Sequence, residues 1–465
     1  MNKIFRLLGV FFVIRLILGW LFPLTADESY YWLWSKHLSL SYIDHPPMIA
    51  YINYLFTLGH ENLFMIRLGA NIIVLLTGLT LYWLTKKIFD EEIAFWSTVL
   101  FLIIPHYLII WLTQFVELPL ALFWLLSIFL LYQAINNNKK IYWLGLTITL
   151  GLGYLSKYTM MLFWPALLLY VLMAPEEKIW FRRKEPYLTF IGSLLFFIPV
   201  LWWNSQHQWA SFVYQSGKLT SDPLGLNILS FIGDQLVHFS PFILFLLFPA
   251  YRFALKRDKG TKLLLAFSLL PLMAFFLLSF KVKVWAHWPA AGYLTALPLI
   301  IAYLAEYRKS IEKYVTWLIL FTTIIMTILF WITPAILAHQ DDYQKNYNLA
   351  QIMPKETKIF ARTNVSASLL EFYSRRPTYL ATGFFKINTP WGEKQYDLWG
   401  IPELKKGESV LYFGEDNDQF RNLAQKYFGQ IEVQPAIKLY LIEDYIVNNY
   451  KMFLLKNYKR DNGHP

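Results

Sequence analysis

The chain has 465 residues, 56% of them hydrophobic and 19% aromatic, with a mean hydropathy of +0.38 and no cysteine. This apolar excess marks a polytopic membrane protein, and the missing cysteines exclude disulfides, thiolate metal sites and cysteine nucleophiles. A net charge of +11 would suggest nucleic acid in a soluble chain, but here Lys and Arg gather in short loops between apolar runs and report topology instead.

Apolar runs long enough to cross roughly 30 Å of hydrocarbon recur as far as residue 334. The pattern predicts eleven spans, at 4–24, 64–85, 93–111, 118–135, 141–155, 159–174, 187–203, 236–251, 263–280, 289–305 and 314–334. The first has a basic start but is long and carries Arg15, so it reads as an uncleaved helix rather than a signal peptide. Spans 141–155 and 159–174 are short, and a re-entrant pair is the alternative for them. Loops holding Lys86 and Lys87, Lys139 and Lys140, Arg182 to Lys184, Arg252 to Lys262 and Arg308 to Lys313 share one side. The positive-inside bias makes that side, and the N-terminus, cytoplasmic.

Residues 27–63 are aromatic and amphipathic, which suits helices lying in the interface with Trp32 and Trp34 at headgroup level. From 335 to 465 the polarity is mixed and the pattern reads as an α/β domain on the outer side. Strands are predicted at 358–364, 409–414 and 438–442, and helices near 343–352, 366–373 and 417–428. The expected fold class is therefore a polytopic α-helical membrane protein of about eleven spans, 1–334, with a C-terminal extracytoplasmic α/β domain.

Most of the polar residues that could carry chemistry fall on the outer face. Asp27 and Glu28 open the first outer loop, either as a soluble flank of the span or as a catalytic base with its neighbour. Asp44 and His45 are held by Pro46 and Pro47, which restrict their backbone, in a turn that could present a carboxylate and an imidazole together. Glu117 begins a span, where an acid also suits the helix dipole. Lys157 sits at a membrane-edge break, where an unpaired ammonium is expensive unless it snorkels to the interface. Asn204 and His207 lie in WNSQHQW, and Lys281, Lys283 and His287 form a basic stretch interleaved with Trp285 and Trp288, suited to a phosphorylated substrate or to interfacial anchoring.

The segment DESYYWLWSKHLSLSYIDHPPMIAY resembles the first outer loop of the polytopic lipid-linked-sugar glycosyltransferases of the C-type fold (GT-C). That group includes protein O-mannosyltransferases and bacterial transferases that add aminoarabinose or uronic acids to lipid A. The likeness continues at VELPLALFW (116–124), LSKYT (155–159), WNSQHQW (203–209) and HWPAAGY (287–293). It implies a polyprenyl-phosphate-sugar donor and an inverting displacement, with Asp27 as base, Glu28 beside it and Glu117 orienting the base or the acceptor. It also implies that Lys157 contacts the lipid phosphate. His45 stands where the aminoarabinose transferases carry lysine, and Asp44 with His207 becomes the pair to examine for a possible divalent metal. The closer likeness to the lipid A branch points to a lipopolysaccharide or other cell-envelope acceptor. A transporter, the reading from a different class, predicts inverted repeats and midspan acids, and the sequence displays neither.

Overall fold

The computed structural model describes residues 2–21, 24–218, 227–307, 310–332, 353, 357–381, 395–434 and 450–459. They divide into two compact units, Met1–Leu21 with Leu38–Trp331 and Phe22–His37 with Ile332–Pro465. The second unit thus takes in the segment that follows the first helix as well as the C-terminal domain. In chain order the first helices are α1 (Asn2–Leu21), α2 (Ala26–Lys36), α3 (Met48–Thr57), α4 (Leu63–Ile88), α5 (Glu91–Ile103) and α6 (Pro105–Ile109). There follow α7 (Glu117–Asn137), α8 (Lys140–Ser156), α9 (Phe163–Met173), α10 (Glu185–Leu195), α11 (Ile198–Gln206) and α12 (Ala210–Gly217). The last of the helical unit are α13 (Asn227–Phe239), α14 (Pro241–Leu255), α15 (Lys259–Leu278), α16 (Ala290–Glu306) and α17 (Ile311–Ile332).

Local chemistry sets many of these boundaries. Asn62, Asp90 and Asp258 cap α4, α5 and α15, each accepting a hydrogen bond from the backbone N–H three residues on. Apolar side chains also cover the outer surface, with Trp20, Phe245 and Phe248 exposed, as hydrocarbon solvent requires. Among the described residues, four helical segments are long and apolar enough to cross a membrane, and six if each bent pair is one span. The chain is a multi-pass membrane protein. Two expected spans are broken: 93–111 bends by 68° between α5 and α6, and 236–251 bends by 98° between α13 and α14. Pro105 and Pro241 open the second helix of each pair, the position where a missing N–H costs least.

A break within a membrane protein frees backbone carbonyls that need donors. Arg15, 3% exposed in the middle of α1, supplies them after the first bend: its guanidinium donates to the Tyr107 carbonyl at 2.8 Å, to the Trp111 carbonyl, and to Asn71 Oδ1 at 2.9 Å. The charge that marked the first span as unusual is thus a fixed support for the segment leading to Glu117.

The second unit holds β1 (Lys358–Ala361), α18 (Asn364–Ser374), β2 (Thr378–Leu380), α19 (Tyr396–Trp399), β3 (Val410–Glu415), α20 (Asp418–Tyr427), β4 (Phe428–Val433) and β5 (Tyr450–Tyr458). The sheet order is β2-β1-β3-β5-β4, with β1 parallel to β2 and β3, and β5 antiparallel to β3 and β4. Phe360, Tyr412, Phe420 and Phe453 centre one core of this unit. Two of the expected strands and two of the expected helices are present with ends shifted by a few residues. The expected helix at 343–352 and strand at 438–442 lie outside the described residues, and β2, β4 and β5 had no counterpart in the reading of the sequence.

Helix α2 packs on α18. Ser29 Oγ and Ser368 Oγ are 2.8 Å apart, and Trp32 meets Phe372 edge to face at 4.9 Å. Trp32 and Trp34 are 2% and 0% exposed, so they are core residues rather than interfacial anchors. An indole buried against protein gains more contact than one half in headgroups, and α18 provides the surface.

Glu371 of α18 is mostly buried, and burial pushes its carboxyl up to about 7, against the opposing pull of the Thr378 N–H and Lys36. A raised carboxyl pKa favours the folded unit below the ordinary value of 4.5 and loses that contribution as pH rises through 7. Protection of the α18 amides in hydrogen exchange, corrected for intrinsic rate, is expected to fall between those two values, and Glu371→Gln is expected to remove the slope. Equal slopes in the two proteins would contradict this.

Candidate active site

α7 and α8 are consecutive, antiparallel helices. Asn138, at φ 50, closes the turn that joins them, a conformation asparagine tolerates, and Ser127 Oγ donates to Thr149 Oγ1 at 2.9 Å between the helices. Because the turn ties one end of the hairpin, the start of α7 and the end of α8 meet at the other. Glu117 is the first residue of α7 and Lys157 is the C-cap of α8, so each charge complements its helix dipole. They pair with each other: Lys157 Nζ donates to Glu117 Oε1, and their side chains are 8% and 3% exposed.

His287, from the turn between α15 and α16, places Nε2 3.4 Å from the same Glu117 oxygen. Burial pushes its imidazole down to about 4, although Glu117 pulls it upward, so at neutral pH His287 is uncharged. That corrects its expected place in a cationic stretch. Lys281 and Lys283 remain exposed, alternating with buried Val282 and Val284, and Lys283 Nζ lies 4.1 Å from the Trp285 ring centre. Neither joins Glu117. Trp288 lies 6.0 Å from Lys157 Nζ and Phe115 lies 6.1 Å from the His287 ring, giving the cluster apolar walls. Glu117 Oε2 is buried with no hydrogen-bond partner among the described residues. An ammonium has three donors, so Lys157 retains capacity for a second acceptor beside Glu117.

A second polar group forms on the loop that carries Asp44. Ser211 Oγ of α12 donates to the Tyr42 carbonyl at 2.9 Å and Gln215 Nε2 donates to the Asp44 carbonyl at 2.5 Å. Asn204, fully buried, accepts from the Ser211 N–H at 3.0 Å and donates to the Val200 carbonyl at 2.9 Å. These bonds make Asn204 a brace between α11 and α12. The Tyr158 hydroxyl faces Ser211, Ser41 and Asn204, and the Asp44 charge reaches it. Since Tyr158 follows Lys157 directly, the break after α8 serves both groups. His45 is half-buried in the same loop, with its carbonyl accepting from the Tyr42 N–H at 3.2 Å.

His207 stacks on Trp203 at 4.1 Å with Nδ1 2.7 Å from the Trp203 carbonyl, which leaves Nε2 as its outward nitrogen. Among the described residues no three His, Asp or Glu side chains converge on a metal position. Asp44 and His207 therefore offer two ligands at most, and a divalent ion would need water or substrate for the rest.

In the other unit, Asp27 and Glu28 lie in the first turn of α2 with different duties. Glu28 is fully buried and closes a capping box: its Oε2 accepts from the Thr25 N–H at 3.1 Å while Thr25 Oγ1 accepts from the Glu28 N–H at 3.3 Å. Asp27, half-buried, is outside that box. Sequence reasoning passed over Lys218, Tyr158, Ser211 and Gln215. Lys218 lies 4.3 Å from the Tyr214 ring and close enough to His287 to lower its pKa. Its one signal was a lone cation in an aromatic stretch.

Comparison with known proteins fits this architecture. A family model described as dolichyl-phosphate-mannose-protein mannosyltransferase matches residues 44–203. The crystal structure of ArnT from Cupriavidus metallidurans bound to undecaprenyl phosphate superposes with a TM-score of 0.66, covering 96% of this chain and 97% of that one at 14% identity. An Archaeoglobus fulgidus oligosaccharyltransferase in the apo form superposes at 0.53, covering 90% of this chain and 71% of that one at 15% identity. The chain shares the GT-C fold of these solved structures. Lipid A galacturonosyltransferase RgtD of Rhizobium johnstonii is 27% identical over 305 residues, which are 63% of this chain and 63% of that relative. The match thus spans less than two thirds of either protein.

The buried pair sets a test of its own. Removing one partner strands a buried charge and costs about 3–5 kcal/mol, whereas replacing both by neutral groups of similar size costs much less. In thermal unfolding of the detergent-solubilised chain, Lys157→Met and Glu117→Gln are each expected to lower the midpoint, and the double variant to recover part of the loss. Additive losses would mean that the two side chains do not interact.

Proposed function

We propose that the chain is an integral-membrane glycosyltransferase that moves a sugar from a polyprenyl-phosphate-sugar donor to a cell-envelope acceptor. A lipid A, lipopolysaccharide or other glycan acceptor is the preferred one, and the site works on the extracytoplasmic face of a bacterial inner membrane. The observation that carries the reading is the buried Lys157, paired with Glu117 at a helix break, in a fold whose ArnT representative was crystallised with undecaprenyl phosphate. A buried ammonium is costly in a membrane protein and marks a place where an anion is to be met. Glu117 neutralises it, and the remaining N–H groups are available to the donor phosphate.

The chemistry then needs one base. The acceptor hydroxyl attacks the anomeric carbon, Asp27 takes its proton, and the bond from that carbon to the phosphate oxygen breaks, with inversion. The polyprenyl phosphate leaves with the bonding electron pair as an anion of low basicity, so no general acid is required. His287 is assigned a neutral role, holding Glu117 in place without adding charge. A divalent ion bound at Asp44 and His207 would add electrostatic stabilisation of a phosphate, and no step of the displacement depends on it.

The matched family model favours a second reading, in which the acceptor is a protein hydroxyl. One experiment separates the two. Envelope lipids, glycans and proteins from cells with and without the chain are compared by mass spectrometry, and a sugar increment confined to lipids or glycans is expected. The increment appearing on proteins alone would select the second reading, and none on any fraction would contradict both. In the same assay Asp27→Asn is expected to lower the rate of incorporation by about 10²–10⁴ while the folded chain persists, and near-normal incorporation would move the base elsewhere.

A further inference from the structure

Nine of the eleven residues of α2 are buried, Asp27 and Lys36 being the two outside that set. A helix riding in a membrane interface would expose one whole face, so this burial requires protein on nearly all sides. The partners come from the far end of the chain. Ser29 meets Ser368 at 2.8 Å across 339 residues of sequence, and Tyr30 stacks on Tyr396 at 6.4 Å while its hydroxyl accepts from the Gln395 N–H at 3.2 Å. Trp32 packs against Phe372 at 4.9 Å, with the Arg375 guanidinium 5.7 Å from its ring. His37, following the helix, stacks on Trp399 at 4.6 Å.

We propose that the C-terminal α/β unit is the scaffold that orients Asp27, with Ser368, Phe372 and Arg375 as positioning residues acting through α2. The inference rests on Asp27 being the base. It adds that the C-terminal unit governs the rate of transfer, beyond any part in choosing the acceptor. Three features of α2 make it a suitable carrier: the capping box at its start, the Ser29–Ser368 contact in its first half and the Trp32–Phe372–Arg375 stack in its second. Contacts on successive turns fix the rotation of a helix about its axis, and therefore the direction in which the Asp27 carboxylate leaves it.

The absence of native cysteine makes the test clean, because one introduced pair has a single product. In the full-length chain carrying Ser29→Cys and Ser368→Cys, the two positions lie within reach of a disulfide of about 2 Å. The linked peptides are expected by mass spectrometry after digestion of oxidised membranes, and the oxidised chain is expected to deliver the same envelope sugar increment as the Ser29→Cys single variant. A second variant reads positioning directly. Arg375→Ala is expected to slow incorporation about two- to tenfold with undecaprenyl phosphate binding unchanged, and Arg375→Lys to restore most of the rate.

Failure of the linked peptides to form in a chain that runs as one folded species in detergent would overturn the proposal. So would a cross-linked chain that loses the increment and regains it on reduction, or an Arg375→Ala chain with normal incorporation. If Asp27→Asn leaves incorporation intact while the cross-link forms, the fault lies in the assignment of the base and not in the packing of α2.

Discussion

A lysine and a glutamate buried together at two helix ends constrain everything around them. Two charges withdrawn from water cost several kcal/mol each before their attraction is counted, and a well-packed apolar pair is often as stable. The chain nonetheless builds for this pair a helix hairpin that brings two terminal positions together, two favourable dipole ends, and a neutral imidazole from a distant turn. Arg15 braces the broken segment that leads into Glu117. Such an arrangement is poorly explained by stability alone. It is well explained by a site that must hold a cation ready for a phosphate without leaving that cation bare.

The two acidic residues at the start of α2 illustrate how neighbouring positions take different work. Glu28, at the third helical position, reaches back to its own cap and is used up in making the helix begin where it does. Asp27, one residue earlier, takes no part in that box. The capping box thus serves the site indirectly: it fixes the helix start, which fixes where Asp27 stands in the first turn.

Much of this was legible from single residues, and little of it from their combination. The apolar runs located the helices because hydrocarbon imposes its own length on a segment. Glu117 and Lys157 each stood out by chemistry, but their pairing depends on the Asn138 turn and on the relative lengths of α7 and α8. His287 read as a cation because its neighbours are Lys281 and Lys283; burial, which a sequence does not display, makes it neutral. Trp32 and Trp34 read as interfacial because indoles favour headgroups, yet α18, more than 300 residues away, offered a better surface. Strands β4 and β5 escaped because mixed charge blurs their alternation, and pairing with each other makes good what pattern lacks.

The claim at the centre is that Lys157, held by Glu117, is the cation that receives a polyprenyl phosphate. Native mass spectrometry of the purified full-length chain with undecaprenyl phosphate tests it without knowledge of the sugar or the acceptor. The wild-type chain is expected to bind, and the folded Lys157→Met/Glu117→Gln double variant to bind at least about tenfold more weakly, a difference of ~1.4 kcal/mol. Equal affinity in the two proteins would contradict the account.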